Sequence, residues 1–191
     1  AQRLVPSHIL LTHAHADHIA GLNEVSAAFP AARVLLHAAE HAFLNDPQLN
    51  LSAFIGMPIT TRGADGTLAH GDQLELSGSV WRVLHTPGHT PESTTYLLLD
   101  ANGKEQAIFT GDTLFIGDVG RPDLAQKKGS LTKEDLAGWL YDSLRNKIMT
   151  LPDETIVYPA HGAGSACGKN MSSETFDTIG HQKETNYALR A

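Results

Sequence analysis

Along the first part of the chain the apolar positions switch between two periods. Ile9, Leu10 and Leu11 form an unbroken apolar run, the pattern of a short buried strand. Ile19, Leu22, Val25 and Phe29 then recur at helical spacing until Pro30, which cannot continue a helix. Residues 33–37 predict a second strand and 38–45 a short helix, an alternation that suggests an α/β layer fold. From residue 67 the pattern changes. Residues 67–76, 80–85, 94–99 and 106–110 are β-rich runs separated by Gly, Pro, Asn or Asp turns, which predicts a sheet. Thr132 and Asp135 fit a capping box, Leu131 can staple to Leu136, and Leu136, Leu140, Leu144 and Ile148 form an apolar stripe; together they predict a long surface helix. A strand over 155–158, a Gly- and Ser-rich loop and a helical tail from about Ser172 complete the reading, with no internal repeat and no low-complexity segment.

With 191 residues, 41% hydrophobic and 18% charged, the chain can bury one core, so a single domain over 1–191 is expected. No stretch approaches the roughly 18 unbroken apolar residues of a membrane span, and the first residues lack the regions of a signal peptide. A soluble protein with no membrane partner is expected. A net charge of -7 without a Lys/Arg cluster argues against nucleic acid as a partner. The single cysteine, Cys167, excludes an intramolecular disulfide and agrees with a reducing compartment, so the expected location is the cytoplasm. The unusual figure is 11 histidines, because histidine is the commonest metal ligand.

Their spacing is informative. Thr-His-Ala-His-Ala-Asp-His over residues 12–18 follows the first strand directly. Histidines two apart on an extended loop can point the same way, so His13, His15, Asp17 and His18 are four potential ligands at one strand end. Three further motifs are bland alone and gain weight from company: His89 after a Pro-Gly turn, Asp112 after Thr110-Gly111, and His161 after Pro159-Ala160. Each would supply an N or O ligand at the carboxyl end of a strand, where open sheets place their sites. Arg121 follows the Asp112 loop and could orient a substrate carboxylate or pair with Asp123. Cys167 lies in a glycine-flanked loop after His161, where it could meet a sulfur substrate or be a plain loop thiol. His8, His37, His41, His70 and His181 lack ligand-like context, and His85 is at best a support for the site.

The order HxHxDH, TPGH, GD and a late strand ending in His-Gly resembles the metallo-β-lactamase superfamily, over nearly the whole chain. That resemblance implies a four-layer αββα sandwich, an α/β (α+β) fold, with metal in a cleft along one edge of the paired sheets. It implies one metal position drawing on His13, His15 and His89, a second on Asp17, His18 and His161, and Asp112 able to bridge them. A finer resemblance is to the persulfide dioxygenases. Residues 108–124, IFTGDTLFIGDVGRPDL, and 161–190, HGAGSACGKNMSSETFDTIGHQKETNYALR, look like the bacterial forms fused to rhodanese domains. This implies one Fe(2+) per chain held by His13, His89 and Asp112, with His15, Asp17, His18 and His161 left as groups around them; Asp17, His18, Arg121 and Cys167 are the candidate catalytic residues. The substrates would be a small-molecule thiol persulfide and O2, and a fused rhodanese domain and a homo-oligomer are the further partners expected.

The ligands themselves do not choose between chemistries. Two histidines and one carboxylate leave open positions for O2 and a substrate sulfur, as an iron oxygenase needs. The full set would equally hold one or two Zn(2+) for a dinuclear hydrolase of the glyoxalase II (hydroxyacylglutathione hydrolase) type. A non-catalytic or redox-binding module is the rival from another class. A secreted β-lactamase and a nuclease are disfavoured by the missing leader, the Asp-His second set and the acidic charge. The family has several strands before its HxHxDH loop, so the expectation is a fragment of a longer protein that lacks the first N-terminal strands.

Overall fold

The computed structural model describes residues 5–125 and 130–190; residues 1–4, 126–129 and 191 of the expected domain lie outside the described residues. The chain forms two compact units, Ala1–Leu68 and Ala69–Ala191.

In the first unit β1 (His8–Leu10), β2 (Arg33–His37) and β3 (Gly66–Leu68) form a parallel sheet in that order. Val34, Leu35 and Leu36 are all buried, as expected of a parallel strand covered on both faces. The single helix expected between β1 and β2 is two: α1 (Ala16–Ile19) and α2 (Leu22–Ala28). The break falls at Ala20 and Gly21, where Gly21 stands at the N-cap of α2. Asp17 sits in the first turn of α1, where the helix dipole favours a carboxylate. Leu11, Ala14, Ile19, Leu22, Val34, Leu36 and Leu44 form this unit's core, the last from a 3-10 helix over Ala38–Leu44.

The second unit carries a six-stranded sheet of β4 (Gln73–Leu76), β5 (Ser79–His85), β6 (Thr94–Leu99), β7 (Glu105–Gly111), β8 (Ile156–Pro159) and β9 (Asp177–Thr178), in sequence order. All neighbours are antiparallel except β7 and β8. The connection between those two contains α3 (Lys133–Ser143), the kind of crossover a parallel pair requires. The run 67–76 is therefore not one strand. It breaks at Gly71, where φ is 90°, and its halves enter different sheets. The capping box at α3 is present: Asp135 N–H donates to Thr132 Oγ1 at 3.1 Å and Thr132 N–H to the Asp135 carboxylate at 3.0 Å. The helix continues through a π-helical turn, Leu144–Ile148. Leu140, Leu144 and Ile148 pack with Leu84, Leu97, Leu99, Ile108 and Val157 in the main core. The last helix, α4 (Ile179–Thr185), starts later than about Ser172, because Thr178 is the residue whose hydroxyl caps it, accepting from His181 N–H. Among the described residues no helix is long and apolar enough to cross a membrane.

Candidate metal centre

The donors of the first unit lie on the loop leaving β1. Ala14 and Ala16 are buried, Ala14 in the core, so the alternate positions His13 and His15 share the other side of the extended segment. Both histidines are buried, and their ring centroids lie 4.7 Å apart. The His13 and His18 rings are 4.0 Å apart, and His18 Nε2 is 3.8 Å from an Asp17 oxygen. The loop is pinned by two hydrogen bonds: Ala14 N–H donates to the buried Glu40 carboxylate at 2.9 Å, and Ala16 N–H to the Asn50 carbonyl at 2.8 Å.

In the second unit His89, Asp112 and His161 follow β5, β7 and β8. These strands run in one direction, so their carboxyl ends share one sheet edge. His89 Nε2 lies 3.4 Å from Asp112 Oδ2, with both side chains fully buried, and His161 Nε2 lies 3.5 Å from Asp112 Oδ1. His89 Nδ1 is 2.9 Å from the Arg121 carbonyl. A carbonyl only accepts, so Nδ1 carries a proton and donates it to the Arg121 carbonyl, while Nε2 is the ring nitrogen that faces Asp112.

Two glycines make this packing possible. At Gly88 φ is 146° and a Cβ would come within 2.3 Å of Leu140 Cβ, so the turn before His89 lies directly on α3. A Cβ on Gly120 would fall 1.8 Å from the Asp112 carbonyl oxygen and 3.2 Å from His89 Cβ. Beneath the motifs, Thr86 Oγ1 bonds to Thr95 Oγ1 at 3.0 Å and to Thr113 Oγ1 at 2.9 Å.

The loop around Arg121 is tied to the loop after His161. Arg121 donates to Asp123 through Nε and an Nη, at 2.9 and 2.6 Å, and also to the Ala166 carbonyl at 3.2 Å. The pair holds the Asp123 carboxyl below the usual carboxylate range and the guanidinium above its own. Arg121 N–H donates to the Cys167 carbonyl at 3.1 Å. Asp118, 1% exposed, accepts from the N–H groups of Val119, Lys169 and Asn170 and from the Tyr187 hydroxyl. Burial alone would raise its pKa; those bonds outweigh burial and hold the carboxyl below its ordinary value, while Tyr187 is pushed up to about 12 by its bond to Asp118. One ligand atom each from Asp112, His161 and Cys167 lie within 4.8 Å of one another.

Elsewhere, His85 Nε2 is 3.0 Å from Glu92, and His85 N–H donates to His70 Nδ1 at 3.3 Å. His181 pairs with Asp177 at 2.6 Å, away from the donors. The residues that the motifs did not reveal are Glu40, Asp118 and the threonine trio. Their partners lie far along the chain, so no local spacing marks them. Imidazole nitrogens with a buried carboxylate are a donor set suited to a divalent first-row cation, so the residues fit a metal.

The metallo-beta-lactamase superfamily profile matches residues 2–161, and the chain belongs to that superfamily of metal-dependent enzymes. A Bacillus subtilis protein named "Probable metallo-hydrolase YqgX" is 36% identical over 160 residues, 83% of this chain and 70% of that one. Hydroxyacylglutathione hydrolase of Tolumonas auensis is 33% identical over 153 residues, 80% of this chain and 47% of that one. Among solved structures, the BLEG-1 B3 metallo-beta-lactamase is similar with TM-score 0.77 at 35% identity, covering 98% of this chain and 79% of that one. ETHE1 from Myxococcus xanthus has TM-score 0.64 at 30% identity, over 96% of this chain and 63% of its own. TTHA1623, solved in a di-iron-bound form, has TM-score 0.69 at 29% identity, over 96% and 78%. The chain thus has the metallo-β-lactamase fold, as its motifs implied.

Proposed function

We propose that the protein is a non-haem iron persulfide dioxygenase, with His13, His89 and Asp112 holding one Fe(II). The reaction would be R–S–SH + O2 + H2O → R–SH + sulfite + two protons: the outer sulfur is oxidised, O2 is reduced, and the S–S bond breaks to release the thiol. One observation carries the reading. The two stretches that resemble persulfide dioxygenases, around Arg121 and around Cys167, are hydrogen-bonded into one body. That body covers the His89–Asp112 pair through Gly120 and the Arg121 carbonyl. A hydrolase needs donors there but has no need of a thiol beside them.

Iron held by His13, His89 and Asp112 would supply the redox chemistry that activates O2 toward a substrate sulfur. The chain's own residues do the rest. The Arg121 carbonyl keeps the proton on His89 Nδ1 and so presents Nε2 as a ligand. The chain at Gly120 lies against Asp112 and shields it from water. Arg121, held by Asp123, acts as a positioning residue. Asp17 and His18 would hold and move a proton at His18 Nε2, and Cys167 would meet the persulfide. On the same resemblance, a rhodanese domain is the proposed partner.

A dinuclear thioester hydrolase is the second reading, favoured by Asp112 facing His89 with one oxygen and His161 with the other, as a carboxylate bridging two ions would. Elemental analysis of anaerobically purified protein with O2 uptake on adding glutathione persulfide decides between them. About one iron per chain and persulfide-dependent uptake is the expected result. Two zincs and no uptake would sink the dioxygenase reading and leave the hydrolase.

A further inference from the structure

The turn that carries His89 rests on α3 and its π-helical extension at three points. The His85 carbonyl accepts from the Lys147 ammonium, the Pro87 carbonyl accepts from the Ser143 hydroxyl at 2.8 Å, and Gly88 lies so close to Leu140 that it has no room for a Cβ. The order of these contacts is regular. As the chain advances from 85 to 87 to 88, its partners step back along the helix from 147 to 143 to 140. Two extended residues and then one cover roughly 6.6 and 3.8 Å. Four helical residues and then three rise roughly 6 and 4.5 Å. The spacings agree, so the turn runs antiparallel to the helix and meets Lys147, Ser143 and Leu140 in register; residues three and four apart are neighbours on one helix face.

The residue types suit this arrangement. Pro87 has no N–H, so a backbone hydrogen bond can hold it only through its carbonyl. Ser143 is 2% exposed, and its hydroxyl gives that carbonyl a donor inside the protein. Burial draws the Lys147 amine below its ordinary pKa, and the exposed Asp142 offsets this in part. The ammonium thus gives up water for a backbone carbonyl at the end of β5. Lys147 stands in the π-helical turn, where Met149 N–H reaches back to the Leu144 carbonyl at 2.8 Å; such turns concentrate at functional sites. On its other side the turn is tied toward Asp112, because the Thr86 hydroxyl bonds to that of Thr113.

We propose that Ser143 and Lys147 are positioning residues for a metal ligand: by holding the Pro87 and His85 carbonyls they fix the turn on the helix and so set His89 against Asp112. They act through the backbone of the turn rather than on metal or substrate. The inference goes beyond the dioxygenase reading, since a zinc hydrolase would draw on His89 as well.

The test is Co(2+) affinity, measured by competition with a chelator on folded protein, beside urea unfolding of the metal-free form. The Ser143→Ala/Lys147→Met double variant, which keeps most of the lysine stem and removes both donors, should bind Co(2+) about tenfold or more weakly. The visible absorption of its Co(2+) complex should also differ from wild type. Lys147→Arg, which restores a cationic donor, should stay within about threefold of wild type, and Lys147→Met alone should fall below it. Lys183→Ala serves as the control: it removes a lysine that donates to the Leu151 carbonyl and to Asp153 on α4's side of the fold, and should lower the urea midpoint without changing Co(2+) affinity. Equal affinity and an unchanged spectrum in the double variant would overturn the proposal, whatever happened to its urea midpoint. So would a Lys147→Arg loss as large as that of Lys147→Met. Should the double variant fail to fold, Ser143→Ala alone decides: a loss of about threefold or more supports the proposal, and wild-type affinity overturns it.

Discussion

The donor loop of the first unit and the donor edge of the second are held in different ways. The first is one continuous segment at the end of β1, fixed by bonds from Ala14 to Glu40, 26 residues away, and from Ala16 to Asn50. The second gathers three side chains from three strand ends. It is fixed by longer links: His89 to Arg121 across 32 residues, Asp118 to Lys169 across 51 and to Tyr187 across 69. A contiguous motif needs only a tight loop with a prop beneath it. A dispersed set needs the whole topology, so substitutions remote in sequence should disturb the second unit more than the first.

The largest effect should come from Gly120→Ala. Its Cβ cannot be accommodated 1.8 Å from the Asp112 carbonyl, so the covering loop must move, at a cost of about 3 kcal/mol read from urea unfolding. Asp118→Asn should cost about 2–3 kcal/mol at pH 7, since it weakens several bonds to one buried charge. Its pH dependence has a definite sign. The Asp118 carboxyl is held below its ordinary value in the folded protein, so its stabilisation is present above the unfolded pKa near 3.8 and lost as pH falls through the folded one. Wild type and variant should therefore converge in urea midpoints measured below about pH 4. Glu40→Ala should cost about 1–2 kcal/mol, by leaving the Ala14 N–H without its acceptor, and lower metal affinity about tenfold in competition with a chelator. A Glu40 effect larger than that of Asp118 would reverse the comparison. Smallest, and opposite in sign, is Gly138→Ala. This exposed α3 position has nothing within 4 Å of where the added methyl would sit, so the change should stabilise by about 0.5–1 kcal/mol.

The same contrast explains what the sequence made legible. The loop of residues 12–18, the Thr132–Asp135 capping box and the apolar stripe of α3 are local patterns, and all appear where the spacing puts them. The run 67–76 misleads because a β-rich stretch carries no mark of passing from one sheet to another; only Gly71 signals the turn. Several Ser and Thr residues between 172 and 178 could cap α4; Thr178, which pairs with Ile156 in the sheet, is the one that does. Glu40 and Asp118 look like ordinary surface acids in the sequence. Burial and distant amide donors make them otherwise, and neither can be read from neighbours along the chain.

The Asp118 bonds also set an order on biosynthesis. Asp118 emerges from the ribosome well before Lys169, Asn170 and Tyr187, and it receives its full set of partners only after the last of these has been made. While synthesis proceeds, the covering loop lacks its anchor, and any metal that reached His89 and Asp112 would meet a partly closed site. Closure over the second donor set is thus tied to translation past Tyr187, so loading of a closed site with metal belongs after that residue has emerged.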